Sequence, residues 1–189
     1  MTLLEPTTRR WTRDEYYRLA GEGWFSGQRV QLINGEILQM PPQGYPHAQA
    51  YLNTIGIVNK IFGSDFVRPQ LPLNVPGDSD PEPDVAVTEY PKTHYRDHPA
   101  TAALIVEIAD SSVYLDRRKA NLYATAGVQD YWIVNLTTRR LEVFRNPIAD
   151  QSQDFGHRYA ETFELSEAEV ISPLARTEAK IQVKDLLDR

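Results

Sequence analysis

The segment that decides the fold is residues 104–136, which read LIVEIADSSVYLDRRKANLYATAGVQDYWIVNL. It begins within a nearly continuous apolar run at residues 101–109, a pattern typical of a strand buried on both faces. Apolar residues then recur at helical spacing over residues 116–126, and Gly127 ends that helix. A second apolar strand follows at residues 131–136. Strand, helix and strand together form a crossover unit.

The flanking sequence predicts elements that add antiparallel neighbours to this unit. Thr12 opens a short helix with a capping box, and Asn34-Gly35 predicts the turn of a β-hairpin. An amphipathic helix follows from Pro46 to Gly63. The other predicted elements are an irregular edge strand at residues 66–75, strands at residues 84–88, 140–145 and 159–165, and a C-terminal helix from Thr177. The fold class is therefore α/β, with a mixed β-sheet flanked by helices.

Length and composition indicate one globular domain over residues 1–189, with a core at about residues 28–145 and extensions at both ends. The chain has no cysteine, which excludes thiol catalysis, zinc-thiolate sites and disulfides. No apolar run approaches the length of a bilayer span, and the N-terminus lacks a signal-peptide pattern. We therefore expect a soluble cytoplasmic protein with no membrane partner.

The formal net charge of −6 argues against a protein that coats nucleic acid non-specifically, because such binding depends mainly on Lys and Arg. A nuclease site is itself acidic, however, and local basic residues often flank it. The charge weakens a nucleic-acid function without excluding it.

Two isolated acids at the edges of apolar strands carry most of the functional information. Asp84 opens the strand at residues 84–88, and Glu107 lies inside the strand at residues 101–109. A charged residue in such a run is costly unless it is paired or bound to a metal. One interpretation is a pair of buried acids satisfied by backbone or arginine donors. The other is a metal site.

If the two acids form a metal site, magnesium suits it, because this ion takes oxygen ligands and retains several waters, so that few protein ligands are needed. Asp84, Glu107 and the backbone carbonyl of Ile108 would supply such ligands if their strands are adjacent. Lys119 lies on the helix after the Glu107 strand and would complete a phosphodiesterase site by placing a cation beside the attacking water. Asp116, three residues earlier on the same helical face, is interpreted as a charge that stabilises the helix dipole.

These residues also carry a resemblance to a known family. It extends in order over more than half of the chain, and its central stretch is specific. The chain resembles the Uma-two family, described as putative restriction endonucleases, a branch of the PD-(D/E)XK nuclease superfamily. The matching positions are residues 32–36, His47, Pro83-Asp84, residues 107–112, Asp116, Lys119, Tyr123, Gly127-Val128 and residues 130–134.

The resemblance implies a restriction-endonuclease-like core, a magnesium cofactor that manganese would replace, and cleavage of nucleic acid, with DNA expected, by a homodimer. In the superfamily pattern a lysine lies two positions after the strand acid, and here that position holds Ala109. The resemblance implies that Lys119 replaces it from the following helix. Without such a replacement, the chain would be a catalytically inert binding or assembly module.

Three further residues have two interpretations each. By the resemblance, Glu36 is an additional catalytic acid; otherwise it is a solvated residue after the hairpin turn. His47 either contacts substrate or a metal ligand, or caps the helix that it precedes. Gln70 either faces the same cleft or is a polar residue of an edge strand.

Other chemistries find little support. There is no Gly-x-Ser-x-Gly elbow and no Gly-rich phosphate loop, and the four histidines form no helical pair. Tyr131 and Trp132 are expected to pack in the core or at a dimer contact.

Overall fold

The computed structural model describes residues 7–187 and contains three α-helices and ten strands within that range. The helices are α1 (Arg13–Gly21), α2 (Tyr45–Phe62) and α3 (Val113–Thr125). The strands are β1 (Val30–Ile33), β2 (Glu36–Gln39), β3 (Val67–Pro69), β4 (Val85–Val87), β5 (Leu104–Ala109), β6 (Asp130–Asn135), β7 (Arg140–Ala149), β8 (His157–Ser166), β9 (Val170–Ile171) and β10 (Ile181–Gln182). No helix among the described residues is long and apolar enough to cross a membrane.

The N-terminal elements follow local sequence rules. The Thr12 hydroxyl accepts a hydrogen bond from the Glu15 backbone N–H at 3.2 Å, and the Glu15 carboxylate accepts one from the Thr12 N–H at 3.1 Å. This confirms the predicted capping box. Asn34 and Gly35 have φ values of 51° and 73° and join β1 to β2, which confirms the predicted hairpin.

Six strands form one mixed sheet in the order β3-β4-β5-β6-β7-β8. Strands β5 and β6 are parallel, as the crossover unit requires, and every other neighbouring pair is antiparallel. The predicted mixed sheet is confirmed. The edge strand expected over residues 66–75 is reduced to β3, because Pro69 and Pro72 have no N–H to donate to a ladder.

Side chains of β5 alternate between two cores, one on each face of the sheet. Val106 and Ile108 pack on the side of α2, in a core that includes Trp132. Ile105 and Ala109 pack on the side of α3, in a core that includes Tyr131. Both aromatic rings are fully buried, which confirms their predicted place in the core. By the same alternation Glu107 faces α3.

The predicted C-terminal helix is wrong. Ile181 begins β10, which pairs with β9, and a single 3₁₀ turn follows at Val183–Asp185. The spacing of Val183, Leu186 and Leu187 suited a helix. The tertiary core instead buries these side chains from the 3₁₀ turn and the residues after it, and the β-branched Ile181 begins the short strand that precedes the turn.

Candidate active site

A small cavity of about 80 Å³ lies where β4, β5, the start of α2 and the start of α3 meet. Most of the acidic and basic residues that line it were identified from the sequence. Neighbouring residues from α3 and two loops complete the lining. The lining includes His47, Asp84, Glu107, Ile108, Asp116 and Lys119. A cavity of this size holds a few water molecules, or groups of similar size.

Asp84 and Glu107 are brought together by the antiparallel pairing of β4 with β5. Val85 pairs with Val106, so the same register places Asp84 opposite Glu107. The Asp84 N–H donates to Glu107 Oε2 at 3.1 Å, and the Ile108 N–H donates to Asp84 Oδ2 at 2.9 Å. The two acids are 6% and 3% exposed. Each carboxylate is therefore held by the backbone of the other strand.

Lys119 reaches this pair of acids from helix α3. Its Nζ donates to Glu107 Oε1 at 3.0 Å and to Asp116 Oδ1 at 3.3 Å, and the residue is 2% exposed. Glu107 and Ala109 lie two residues apart on β5 and so face α3 together. A lysine on the overlying helix can thus approach the face that a lysine at position 109 would occupy.

Asp116 and Tyr123 of α3 complete the ion cluster, together with Ser112 just before the helix. The Tyr123 hydroxyl donates to Glu107 Oε1 at 2.8 Å, and the Ser112 hydroxyl donates to Asp116 Oδ2 at 2.7 Å. Asp116 was interpreted as a helix-dipole charge, but it is 3% exposed and forms an ion pair with Lys119. Its position on one helical face with Lys119 and Tyr123 was the sequence signal for this contact.

The protonation states of the cluster follow from burial and charge. Burial alone would lower the pKa of Lys119, but the charges of Glu107 and Asp116 outweigh it and hold the pKa above its usual value. Lys119 is therefore an ammonium at neutral pH. Burial raises the pKa of Glu107 to about 7, although the Lys119 charge opposes that rise.

His47 and Gln70 both contact Asp84. His47 Nε2 lies 3.2 Å from Asp84 Oδ2, and Gln70 Nε2 donates to Asp84 Oδ1 at 3.3 Å. Burial raises the pKa of Asp84, but the hydrogen bond and charge of His47 outweigh it, so this pKa is lowered. Burial correspondingly lowers the pKa of His47, and the contact with Asp84 outweighs it, so this pKa is raised.

Gln70 adopts a positive φ of 48°, and its N–H donates to the carbonyl oxygens of Pro83 and Asp84 at 3.1 and 3.2 Å. A residue other than glycine in this conformation costs free energy, and such strain is concentrated at functional sites. The strained backbone carries the Gln70 side chain to Asp84.

Glu36 is not brought to the cavity that Asp84 and Glu107 line. Its carboxylate is exposed and lies 3.1 Å from Arg10 Nη1. It lines a separate pocket of about 20 Å³ with Arg118 and Lys119. Lys119 lines both pockets, whereas Glu36 does not line the larger one.

Within residues 7–187, no group of three or more His, Asp or Glu side chains is arranged as a complete metal-binding cluster. Asp84 and Glu107 are the two acids that the sequence proposed as ligands, and both line the cavity with Ile108.

Comparisons with known proteins agree with this architecture. A family model described as "Putative restriction endonuclease", Uma2, matches residues 13–179. A crystal structure of a putative nuclease belonging to DUF820 from Anabaena variabilis is similar with a TM-score of 0.68 at 19% identity, covering 93% of this chain and 96% of that one. The search of curated proteins found no match. The structural similarity confirms the predicted restriction-endonuclease-like fold.

Proposed function

The chain belongs to the Uma2 family of putative restriction endonucleases, and we propose that it is a metal-dependent endonuclease that hydrolyses phosphodiester bonds in DNA. Asp84, Glu107 and Lys119 are the residues that we assign to the reaction. His47 and Gln70 orient Asp84.

The observation that supports this proposal most strongly is the position of Lys119. The superfamily pattern requires a cation near the strand acid, and Ala109 occupies the usual place for it. Lys119 Nζ lies 3.0 Å from Glu107 Oε1, in the cavity that Asp84 also lines. A helix thus supplies the cation that the strand lacks.

The donor set fits a magnesium ion, which takes hard oxygen ligands and is bound by one or two carboxylates together with water. Asp84 and Glu107 would hold it, with the carbonyl of Ile108 as the third protein ligand; Ile108 also lines the cavity. When bound, magnesium would lower the pKa of a water ligand and balance charge on the phosphoryl oxygens.

Lys119 acts as a cation and hydrogen-bond donor in this proposal. Its raised pKa keeps it protonated, so it cannot take a proton from water at neutral pH. Its three N–H groups can instead donate to the attacking water or to a phosphoryl oxygen, where negative charge grows during the reaction. Asp116 and Tyr123 fix the positions of Lys119 and Glu107, with which they form hydrogen bonds at 3.3 and 2.8 Å.

The test is incubation of the purified protein with supercoiled plasmid and with circular single-stranded DNA, in magnesium or in EDTA. We expect magnesium-dependent cleavage of at least one of these circular substrates, which would show endonuclease activity. Asp84→Asn and Lys119→Met should each lower the rate by two orders of magnitude or more, as expected for electrostatic stabilisation in a closed site. Lys60→Met, a change to an exposed lysine of α2, is the matched control and should cleave normally.

Cleavage that persists in Lys119→Met would refute the role of that lysine. Absence of cleavage by the wild-type protein, in magnesium and in manganese, would favour the inert binding or assembly module. The homodimer implied by the family resemblance stays a prediction, which sedimentation velocity of the purified chain tests directly.

A further inference from the structure

Two exposed tyrosines lie at the starts of the two helices that border the cavity. Tyr45 is the first residue of α2 and is 77% exposed, and Tyr114 is the second residue of α3 and is 74% exposed. Neither ring makes a hydrogen bond or a ring contact within residues 7–187. Both rings are therefore accessible to a molecule bound at this surface.

Tyr45 directly follows a residue that lines the cavity, and Tyr114 lies two positions after another. Gly44 and Ser112, the N-caps of α2 and α3, belong to the cavity lining. The two walls also approach each other closely, because a Cβ atom added at Gly44 would lie 3.9 Å from Asp110 Oδ2. Tyr45 and Tyr114 are therefore attached to opposing walls of a single narrow opening.

The size of the cavity limits how much of a substrate enters it. A volume of about 80 Å³ is enough for a phosphoryl group with a cation or a few waters. Asp84, Glu107 and Lys119 are all at most 6% exposed, so a phosphate must enter the cavity to contact them. With a phosphate bound there, the bases on either side of it would lie towards the opening, near the helix starts that carry the two tyrosines.

The charge of the lining does not favour binding through phosphates alone. Five carboxylates line the cavity, against the basic residues Arg29 and Lys119 and the histidine His47. Lys119 is already paired with two of those carboxylates. Duplex binding without base contacts depends on many Lys and Arg contacts to phosphates, whereas single-strand binding gains much of its affinity from stacking of bases on aromatic rings.

We propose that the substrate is an unpaired strand of nucleic acid, with Tyr45 and Tyr114 stacking on bases that flank the phosphate in the cavity. This inference rests on the proposed function and specifies its substrate. Stacking requires a base with a free face, and the bases inside a duplex are already stacked on one another. The two tyrosines therefore select unpaired segments, such as single strands, flaps or loops.

The test is binding, measured by fluorescence anisotropy with calcium in place of magnesium. The probes are a 20-nucleotide single-stranded DNA, the same sequence as duplex DNA, and the same sequence as single-stranded RNA. We expect at least one single strand to bind at least tenfold more tightly than the duplex. Tyr45→Ala and Tyr114→Ala should each weaken single-strand binding by roughly fivefold or more, as expected for the loss of one stacked base.

Tyr90→Ala is the matched control. Tyr90 is 51% exposed and does not line this cavity, so its loss should leave binding unchanged. Duplex binding as tight as single-strand binding, or Tyr45 and Tyr114 variants that bind like the control, would overturn the inference. Because binding is read without cleavage, selective single-strand binding by a protein that cleaves nothing would contradict only the proposed nuclease activity.

Discussion

Replacing Lys119 with methionine removes the ammonium that lies between two buried carboxylates. Methionine fills most of the space of the lysine stem, so the change tests the charge rather than the packing. Glu107 and Asp116 are each 3% exposed, and solvent cannot take the place of the lost cation. Both acids would remain buried without it.

The expected cost follows from these contacts. Breaking a buried ion pair by removing one partner costs about 3–5 kcal/mol of the free energy of unfolding. Glu107 keeps its hydrogen bonds from Tyr123 and from the Asp84 N–H, and Asp116 keeps the one from Ser112. Because these donors remain, we expect a loss near the lower end of that range, about 3 kcal/mol at pH 8.5.

The loss should shrink as the pH falls. The pKa of Glu107 is already raised to about 7 beside the lysine, and it rises further once the cation is gone. An acid whose pKa is raised on folding contributes stability at low pH and loses it as the pH rises through that folded value. Protonation at pH 6 should therefore restore part of the stability of Lys119→Met.

The assay is urea denaturation at pH 6 and pH 8.5, followed by tryptophan fluorescence, to which the buried Trp132 contributes. The double variant Lys119→Met/Glu107→Gln also removes one of the two buried carboxylates that have lost the lysine, and it should be more stable than the single variant at pH 8.5. Lys60→Met should change stability by less than about 0.5 kcal/mol. A loss below about 1 kcal/mol at pH 8.5, or a loss independent of pH, would refute the reasoning.

Three other changes test neighbouring parts of the structure. Tyr123→Phe removes a hydrogen bond to a buried carboxylate and should lower the free energy of unfolding by about 1.5 kcal/mol, because the lysine contact remains; an unchanged urea midpoint would contradict that contact. His47→Gln should cost most stability between pH 3.8 and 6.5, the usual pKa values of Asp84 and His47. The raised His47 pKa contributes stability that is lost above its folded value, and the lowered Asp84 pKa contributes stability that is lost below its own. Denaturation at pH 5 and pH 8.5 should thus show a larger difference from wild type at pH 5, and equal differences would argue against the pair. Gly35→Ala places a Cβ 2.6 Å from a neighbouring side-chain carbon, at a residue with φ +73°, and should destabilise the protein by about 1 kcal/mol or more. Gly56 lies within α2, and a Cβ added there has no atom within 4 Å, so Gly56→Ala should stabilise the protein by about 0.5–1 kcal/mol. Thermal midpoints that shift in the same direction for both glycine variants would contradict this difference.

Local chemistry explains why much of the fold could be predicted from the sequence. The capping box at Thr12, the Asn34-Gly35 turn and the strand-helix-strand unit each depend on neighbouring residues. Asp84 and Glu107 could be identified because a charge in an apolar strand is costly and needs a partner.

The remaining features depend on contacts distant in sequence. Helical spacing predicted that Asp116 and Lys119 share one helical face. It could not show that packing against the sheet buries both residues, so that Asp116 forms an ion pair with Lys119. The sequence also predicted a helix after Thr177, where the structure instead has the short strand β10 and a 3₁₀ turn. Glu36 lies just after a correctly predicted turn, yet only the packing of the hairpin decides that it is separated from Asp84.

The most direct measurement is a crystal of the chain soaked in manganese, with data collected at a wavelength where manganese scatters anomalously. We expect one anomalous peak coordinated by the carboxylates of Asp84 and Glu107, with Lys119 Nζ within hydrogen-bond distance of a water on the metal. A crystal of Asp84→Asn should lack the peak. Absence of a peak in the wild-type crystal, with Lys119 still bound to Glu107 and Asp116, would contradict the proposed metal site.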